Sequence, residues 1–268
     1  MEHNFRSSFL QFDITPNVSV QNPAFLQGMA GGLRQSNAVA LPLSIEMCML
    51  EDDHFTRLLI ITADIIGFDA ILVEKVRSFA KNWGIDPEGI ILNASHTHYA
   101  PGTITNMAES MGPFYANYTS QILRIILSNF QNLYNLLEPC TIYSTGTKAR
   151  VGVNRRLFAD QQVLFSPNPD GPYIEDTPLL KICLNSSKRT VLWVNHGCHP
   201  TGMGKDNRIS SDYSGVLKHL LKKNGIADGV MFFQGAGGSS KEALKVKDHW
   251  KFSANESEVF HNGYILAD

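Results

Sequence analysis

The sequence predicts a single large α/β domain with a mixed β-sheet core covered by amphipathic helices. Two patterns predict it: short apolar runs of strand length, and longer segments with one apolar stripe at helical spacing. Strands that are apolar on both faces and alternate with amphipathic helices are typical of this fold class. The 268 residues are 43% hydrophobic and 18% charged, which excludes a wholly disordered chain and allows a sizeable core. We therefore expect residues 1–268 to form one domain.

The first half of the chain predicts a strand pair, a helix, a short buried strand and a second helix. The paired strands cover residues 37–50 and 56–63. A helix follows and ends at Gly84. Residues 89–94 then predict the buried strand, and residues 114–136 predict the second helix. The first helix is identified by an apolar stripe at i, i+4, i+7 and i+11, formed by Leu72, Val76, Phe79 and Trp83.

The second half predicts four more strands and a third helix. The helix begins at Asp212, a candidate N-cap, and ends at Asn224 before Gly225. Residues 158–177 are rich in Pro, Asp, Gln and Gly and predict a surface excursion. The last 20 residues show no clear pattern. The predicted strands cover residues 139–147, 178–185, 190–196 and 230–233.

Charge and cysteine content exclude several classes of protein. Lys plus Arg number 23 and Asp plus Glu 25, so no basic excess indicates nucleic-acid binding. No run of 18 apolar residues predicts a membrane span, and no basic segment followed by an apolar run predicts a signal peptide. We therefore expect a cytoplasmic protein. The four cysteines lack CxxC spacing, which indicates free thiols in a reducing compartment; they are Cys48, Cys140, Cys183 and Cys198.

Three of the predicted strands run into loops rich in histidine or glycine. These loops cover residues 96–102, 196–201 and 235–240. If the strands are parallel neighbours, the loops emerge together at the carboxyl edge of the sheet, where open α/β sheets bind their ligands. Convergence of the three loops is therefore the first prediction about a functional site.

Four of the nine histidines lie in two of these loops. His96 and His98 are two residues apart, so in an extended segment both side chains reach the same side. His196 and His199 lie in the equivalent position after another strand. Imidazole is a common zinc ligand, and zinc usually takes four ligands. The alternative is that these are strand-end histidines bonded to backbone. HExxH is absent, which excludes a zincin-type site.

The glycine loop matches none of the usual nucleotide or hydrolase motifs. GAGGSS lacks the third glycine of GxGxxG, no GK[ST] follows it, and GxSxG is missing. Nucleotide binding is therefore the least favoured function. Two interpretations stay open: a tight strand-to-helix turn that needs positive φ, or backbone N–H groups at a helix start that hold an oxyanion.

Taken together, the motifs resemble the N-terminal catalytic domain of the neutral/alkaline, non-lysosomal ceramidases and their shorter bacterial relatives. The resemblance covers roughly residues 7–240, with the motifs in the family's order. They are Asp13-Ile14-Thr15-Pro16, Asn93-Ala94-Ser95-His96-Thr97-His98 followed by Pro101-Gly102, Gly152-Val153-Asn154-Arg155-Arg156, His199-Pro200, Ser211-Asp212-Tyr213-Ser214-Gly215, and Gln234-Gly235-Ala236-Gly237-Gly238.

The resemblance implies a zinc-dependent amidase that hydrolyses an N-acyl amide bond, in ceramide or in a related small-molecule or lipid amide. It implies that His96 and His199 bind Zn²⁺ and that His98 and Arg155 are catalytic. A second histidine and an arginine suit that chemistry, because they can stabilise the oxyanion or protonate the leaving amine. His196 has no metal role in the family and is expected to be structural. Asp212 could orient a ligand.

Two departures from the family pattern leave the function open. The position of the family's proposed catalytic serine is Lys241, with Ser240 one residue away and Ser239 in place of an aspartate, so ceramide is in doubt as the substrate. The family also completes its zinc site with a Glu and a Tyr from beyond the glycine turn. Here Glu256, Glu258 and Tyr264 match no motif.

These departures predict a catalytic domain that is incomplete at its C-terminus, and they keep a catalytically inactive, binding-only fold as the alternative. The oligomeric state stays open. Any lipid contact would need exposed apolar loops. Residues 99–115 are one candidate, and the favoured alternative is a packed loop that leads into the second helix.

Overall fold

The structure, a computed structural model, describes residues 4–268. Its elements follow the predicted alternation of strands and helices. The α-helices are α1 (Ala70–Ala80), α2 (Ala116–Ser128), α3 (Phe130–Asn135), α4 (Asp212–Lys223) and α5 (Glu256–Ala267). The strands are β1 (Phe5–Asp13), β2 (Ala24–Leu26), β3 (Arg34–Ser36), β4 (Ser44–Glu51), β5 (Arg57–Ala63), β6 (Ile90–Ala94), β7 (Glu138–Lys148), β8 (Gly152–Ala159), β9 (Gln162–Asn168), β10 (Asp176–Leu184), β11 (Thr190–His196), β12 (Gly229–Gln234), β13 (Ser240–Val246) and β14 (His249–Phe252).

Eight of the strands form one mixed sheet in the order β12-β11-β10-β7-β1-β4-β5-β6. Two neighbouring pairs are parallel, β5 with β6 and β11 with β12, and the other neighbours are antiparallel. The predicted strand pair is confirmed as β4 and β5, although β4 begins at Ser44, so residues 37–43 lie outside it. The observed sheet and its helices confirm the predicted α/β class.

The helices cover the sheet with the apolar faces that their spacing predicts. Leu72 and Val76 of α1 are buried. The predicted helix over residues 114–136 is interrupted at Asn129, whose side-chain amide donates to the Ile125 carbonyl oxygen at 2.8 Å. An Asn side chain that bonds the preceding turn competes with the helix backbone, so two shorter helices replace one. No helix in residues 4–268 is long and apolar enough to cross a membrane.

The two ends of the large sheet lie close together. β6 and β12 are at opposite ends of the strand order, yet the Asn93 side chain of β6 bonds the backbone of β12. Its Nδ2 donates to the Gln234 carbonyl oxygen at 3.3 Å, and the Gln234 N–H donates to its Oδ1 at 2.9 Å. The sequence predicted that β6, β11 and β12 are parallel neighbours, and only β11 and β12 are. Because the sheet curls until β6 approaches β12, the histidine loops and the glycine loop still come together.

A second sheet has the strand order β14-β13-β8-β9. It includes parts of two segments for which no strand was predicted, residues 158–177 and the last 20 residues. Much of the predicted surface excursion at 158–177 is the β8–β9 hairpin. Its turn residues Asp160 and Gln161 have φ of 51° and 60°, as a type I′ turn requires. Type I′ turns usually carry Asn-Gly or Asp-Gly, and Gln161 here stands in place of the glycine, so the turn signal in the sequence is incomplete.

The C-terminal elements correct two further expectations. The glycine turn at 235–239 leads into strand β13, so the predicted strand-to-helix turn is wrong. The last 20 residues contain α5, which buries Val259, Asn262 and Gly263. That face is small and partly polar, so no apolar stripe identified it. All four cysteines are free; three are buried and Cys183 is half-buried.

Candidate functional site

Three histidines meet where the loops after β6 and β11 come together. The candidate ligand atoms of His96, His98 and His199 all lie within 4.8 Å of one another. Each pair of rings has its centroids 4.7–4.9 Å apart. The His98 N–H donates to the Pro200 carbonyl oxygen at 3.4 Å and joins the two loops. The Thr97 hydroxyl donates to the Ser210 carbonyl oxygen at 2.7 Å, and the Tyr213 hydroxyl donates to the Cys198 carbonyl oxygen at 2.8 Å, which ties both loops to the start of α4.

The backbone and ring of His96 are both held in an unusual arrangement. Its φ is 67°, in the left-handed region that a non-glycine residue rarely adopts, and such conformations cluster at functional sites. Its Nδ1 lies 2.7 Å from the Ile66 carbonyl oxygen. Because a carbonyl oxygen can only accept, Nδ1 carries the proton, and Nε2 presents a lone pair to the cluster.

His98 faces His199 directly. The two Nε2 atoms lie 2.9 Å apart, so in a metal-free cluster one donates to the other. The Nδ1 of His98 is buried without a hydrogen-bond partner. The Arg34 guanidinium donates to the His98 carbonyl oxygen at 2.7 Å and fixes the backbone of this residue. The family resemblance implies that His96 and His199 bind metal and that His98 is catalytic. In the structure, the side chains of all three histidines lie in one cluster.

Burial keeps these imidazoles neutral. Burial lowers the pKa of His98 well below its ordinary value, and the neighbouring His199 and His96 lower it further. The pKa of His199 is lowered to about 3, first by burial and then by the charge of Arg155 and by His96. The neutral form is the one that can bind a metal ion. At neutral pH the cluster therefore offers lone pairs rather than positive charge.

Arg155 lies on β8 beside the cluster. Its guanidinium donates to the Gly238 carbonyl oxygen at 2.9 Å, and its backbone N–H donates to the Ser239 carbonyl oxygen at 2.9 Å. Its charge contributes to the lowered pKa of both His96 and His199. The glycine turn thus places a cation beside the three imidazoles.

The residues after the glycine turn hold the loops in place. The Ser240 hydroxyl donates to the Gly197 carbonyl oxygen at 3.0 Å. Lys241 is buried, and its ammonium donates to the carbonyl oxygen and the hydroxyl of Thr201 at 2.7 and 2.8 Å. Burial lowers the pKa of Lys241, against the opposing effect of the Glu242 charge. Both side chains are therefore committed to the loop that carries His199.

A buried pair of acidic residues, Asp212 and Glu242, supports the same loop, and only Asp212 was singled out from the sequence. Asp212 accepts from the Gly202 N–H at 3.0 Å. Burial raises the pKa of the Glu242 carboxyl well above its ordinary value, and the neighbouring Asp212 raises it further. The buried Glu242 carboxyl therefore ionises less readily than an exposed one, and Asn262 donates to its Oε2 at 2.9 Å. The sequence of β13 did not identify Glu242 as buried, because a glutamate in a strand is ordinarily predicted to face solvent.

Asp212 is not the N-cap that the sequence predicted. Ser211 occupies that position, and Asp212 is the first residue of α4, with a φ of 60°. Its Oδ1 accepts from the Tyr213 N–H at 2.7 Å while Oδ2 binds the His199 loop. The aspartate thus joins the start of the helix to the loop.

The remaining residues singled out in the sequence lie outside the cluster. His196 is buried, with one ring nitrogen 3.0 Å from the Tyr173 hydroxyl and the other 2.9 Å from the Thr177 hydroxyl, as a structural histidine should be. Burial lowers its pKa to about 4. Three residues of α5 are placed elsewhere: Glu256 pairs with Arg208, Glu258 pairs with Lys251, and Tyr264 is 61% exposed.

The donor set of the cluster fits a transition metal. Imidazole nitrogen suits Zn, Cu, Fe and Ni, whereas Mg²⁺ and Ca²⁺ prefer oxygen. The unpaired Nε2 of His96 and the close Nε2 atoms of His98 and His199 supply three such nitrogens. Within residues 4–268, no carboxylate or thiol joins this group. A site that offers no more than three protein ligands leaves a coordination position open, which is characteristic of catalytic rather than structural zinc.

Gly28 gives a test of how tightly the cluster is packed. A Cβ at this position would lie 2.7 Å from Nδ1 of His98 and 2.6 Å from Cδ1 of Ile66. Gly28→Ala is therefore expected to destabilise the fold by about 1–3 kcal/mol through overpacking, in addition to the strain at its φ of 110°. It should also weaken metal binding, because a displaced His98 would move against His199, whose Nε2 lies 2.9 Å from its own. Urea unfolding and metal titration measure the two effects.

Gly31 supplies the matched control. Its φ is 120°, similar to that of Gly28, but a Cβ there would meet nothing within 4 Å. Gly31→Ala should therefore show the backbone strain alone and leave metal affinity unchanged. Equal losses in the two variants would mean that Gly28 is needed for its backbone conformation only.

Comparisons with known proteins identify the fold. The neutral ceramidase from Pseudomonas aeruginosa matches 100% of this chain with a TM-score of 0.81 at 17% sequence identity. A ceramidase in complex with C2 matches 99% of it with a TM-score of 0.78 at 19% identity. This chain covers 44% and 43% of those two chains. No protein-family model matches the sequence, and no curated protein matches it. The ceramidase-like fold that the motifs predicted is confirmed.

Proposed function

We propose that the protein is a zinc-dependent amidohydrolase that cleaves an N-acyl amide bond, in ceramide or in a related lipid amide. The observation that carries the proposal is the cluster of three neutral imidazoles at the strand ends. The ceramidase-like fold supports the hydrolase class. A zinc ion would lower the pKa of a coordinated water and polarise the amide carbonyl. The cytoplasmic location stays a prediction.

We assign His96 and His199 as the zinc ligands, and His98 and Arg155 as the catalytic residues. The Nδ1 of His96 is committed to Ile66, which orients its Nε2 as a ligand. Nε2 of His98 lies 2.9 Å from the ligand atom of His199, so it can accept a proton from the attacking water and return it to the leaving amine. The Arg155 guanidinium, held by Gly238, would stabilise the charge that develops on the amide oxygen.

Hydrolysis of a panel of N-acyl amides tests this function. The panel should include a soluble short-chain amide and long-chain N-acyl amino alcohols. The protein is first treated with chelator, dialysed, and assayed with and without added Zn²⁺. We expect hydrolysis that disappears on chelation and returns with zinc. Hydrolysis that survives chelation would contradict a metal-dependent mechanism.

A binding-only protein is the second candidate. It is favoured by the absence of a carboxylate ligand from the cluster within residues 4–268, since known hydrolytic zinc sites often include one. Under that alternative, zinc and a lipid amide would each raise the unfolding temperature, and no substrate in the panel would be cleaved.

A further inference from the structure

The β8–β9 hairpin presents a concentrated set of exposed apolar side chains. Phe158, Val163 and Phe165 are 72%, 66% and 66% exposed. Phe158 is paired with Val163, and Arg156 is paired with Phe165. Directly opposed residues, and residues two apart in a strand, share one face of a sheet. The three apolar side chains and Arg156 therefore lie together on one face rather than scattered over the surface.

This face extends to Arg155. The Phe165 ring contacts Phe252 of β14, with centroids 5.2 Å apart. The Arg155 guanidinium carbon lies 5.8 Å from the centre of the same Phe165 ring. A cleft of about 340 Å³ between these residues is lined by Arg155, Arg156, Val163, Leu164 and Phe165. The exposed apolar residues thus lead directly to a residue of the candidate active site.

The sheet that carries this face has a surplus of cations. Residues 152–168 and 240–252 contain six Lys and Arg against three Asp and Glu, whereas the whole chain has 23 against 25. Lys241 and Glu242 are buried and Lys251 is paired with Glu258, which leaves four cations against two acids nearer the surface. Apolar side chains flanked by Lys and Arg are the combination that binds the interface of an anionic membrane.

We propose that this face of the β8–β9 hairpin binds the surface of an anionic lipid bilayer and so places the histidine cluster beside substrate in the bilayer. The second half of this proposal rests on the proposed lipid amide hydrolysis. Residues 99–115, the loop that the sequence offered for lipid contact, are less suited to the role because residues 99–103 are buried. The β8–β9 hairpin is therefore the element that contacts the bilayer.

Vesicle binding tests the proposal without depending on catalysis. The full chain is sedimented with vesicles of phosphatidylcholine alone and of phosphatidylcholine mixed with phosphatidylglycerol. We expect binding to the mixed vesicles, weaker binding to the neutral ones, and at least about tenfold weaker binding for the variant Phe158→Ser/Phe165→Ser. Phe55→Ser is the matched control, because Phe55 is 71% exposed in the turn between β4 and β5. Both variants should retain the unfolding temperature of the unmodified chain.

The outcomes separate this proposal from the proposed function. Vesicle binding without hydrolysis of the soluble amide would support the docking face and contradict the hydrolase. Hydrolysis of the soluble amide without vesicle binding would contradict the docking face and leave the hydrolase standing. Equal vesicle binding by the double variant would overturn the proposal. A concentration-dependent dimer that the double variant disrupts would also overturn it, by assigning the face to a second copy of the chain.

Discussion

Replacing His199 with alanine is expected to lower zinc affinity by more than about 100-fold and to abolish zinc-dependent hydrolysis. Losing a hydrogen-bond partner of a metal ligand already costs about 10–100-fold in affinity, and losing a ligand costs more. Zinc at about 100 times its Kd stabilises a folded protein by about 2.7 kcal/mol. The His199→Ala chain should lose this stabilisation, which urea unfolding with and without zinc would measure.

His54→Ala provides the control for this experiment. The His54 side chain is 80% exposed, so its loss removes an imidazole without touching the cluster. We expect unchanged zinc affinity and activity. His96→Ala should reproduce the result of His199→Ala. Retention of zinc affinity by both cluster variants would show that the metal, if bound, lies elsewhere.

Replacing Lys218 with methionine is expected to destabilise the fold by about 3–5 kcal/mol. The Lys218 ammonium is buried on α4 and lies between two buried carboxylates, donating to Glu46 at 3.0 Å and to Asp64 at 2.7 Å. Methionine fills a similar volume but leaves two carboxylates unpaired in the core. Urea unfolding at neutral pH gives the change in the free energy of unfolding.

The matched control for Lys218→Met lies one turn further along α4. Lys222 is exposed, and its ammonium donates to the half-buried Gln11 side chain at 2.8 Å rather than to a carboxylate. Lys222→Met should therefore change the free energy of unfolding by no more than about 0.5 kcal/mol. Equal effects of the two substitutions would contradict a buried ionic cluster under this helix.

The contribution of Lys218 should not vary across the neutral pH range. Burial lowers the pKa of Lys218, but the charges of Asp64 and Glu46 outweigh this and leave it above its ordinary value. A raised folded-state pKa gives stability that is complete below the unfolded value of about 10.4 and is lost as pH rises through the folded value. The cost of Lys218→Met should therefore be the same at pH 6 and pH 8, as unfolding curves would show.

The sequence predicted the elements whose burial follows a simple period. β5, β11 and β12 are apolar runs, and α4 has an apolar face, so all four were identified. Elements that depend on special backbone or polar packing were missed. The β8–β9 turn uses two non-glycine residues at positive φ, and α5 packs through Asn262 and Gly263. Neither feature produces a hydrophobic pattern.

The candidate site was predicted in part for similar reasons. The histidine loops follow strands that end at one edge of the sheet, so their convergence could be inferred. The contact that achieves it, between Asn93 and Gln234, joins strands at opposite ends of the sheet and has no signal in one sequence. The buried Glu242 and the positive φ of Asp212 were not predicted, because distant elements decide how deeply a charged residue is buried and which backbone conformation it adopts.

X-ray absorption spectroscopy of the zinc-loaded protein tests the central claim most directly. The spectrum reports which atoms surround the metal and at what distance. We predict about one zinc per chain, bound by at least two imidazole nitrogens at about 2.0–2.1 Å, with the imidazole signal lost in the His96→Ala/His199→Ala chain. Sulfur at about 2.3 Å, or an unchanged spectrum in that double variant, would contradict a zinc site built on His96 and His199.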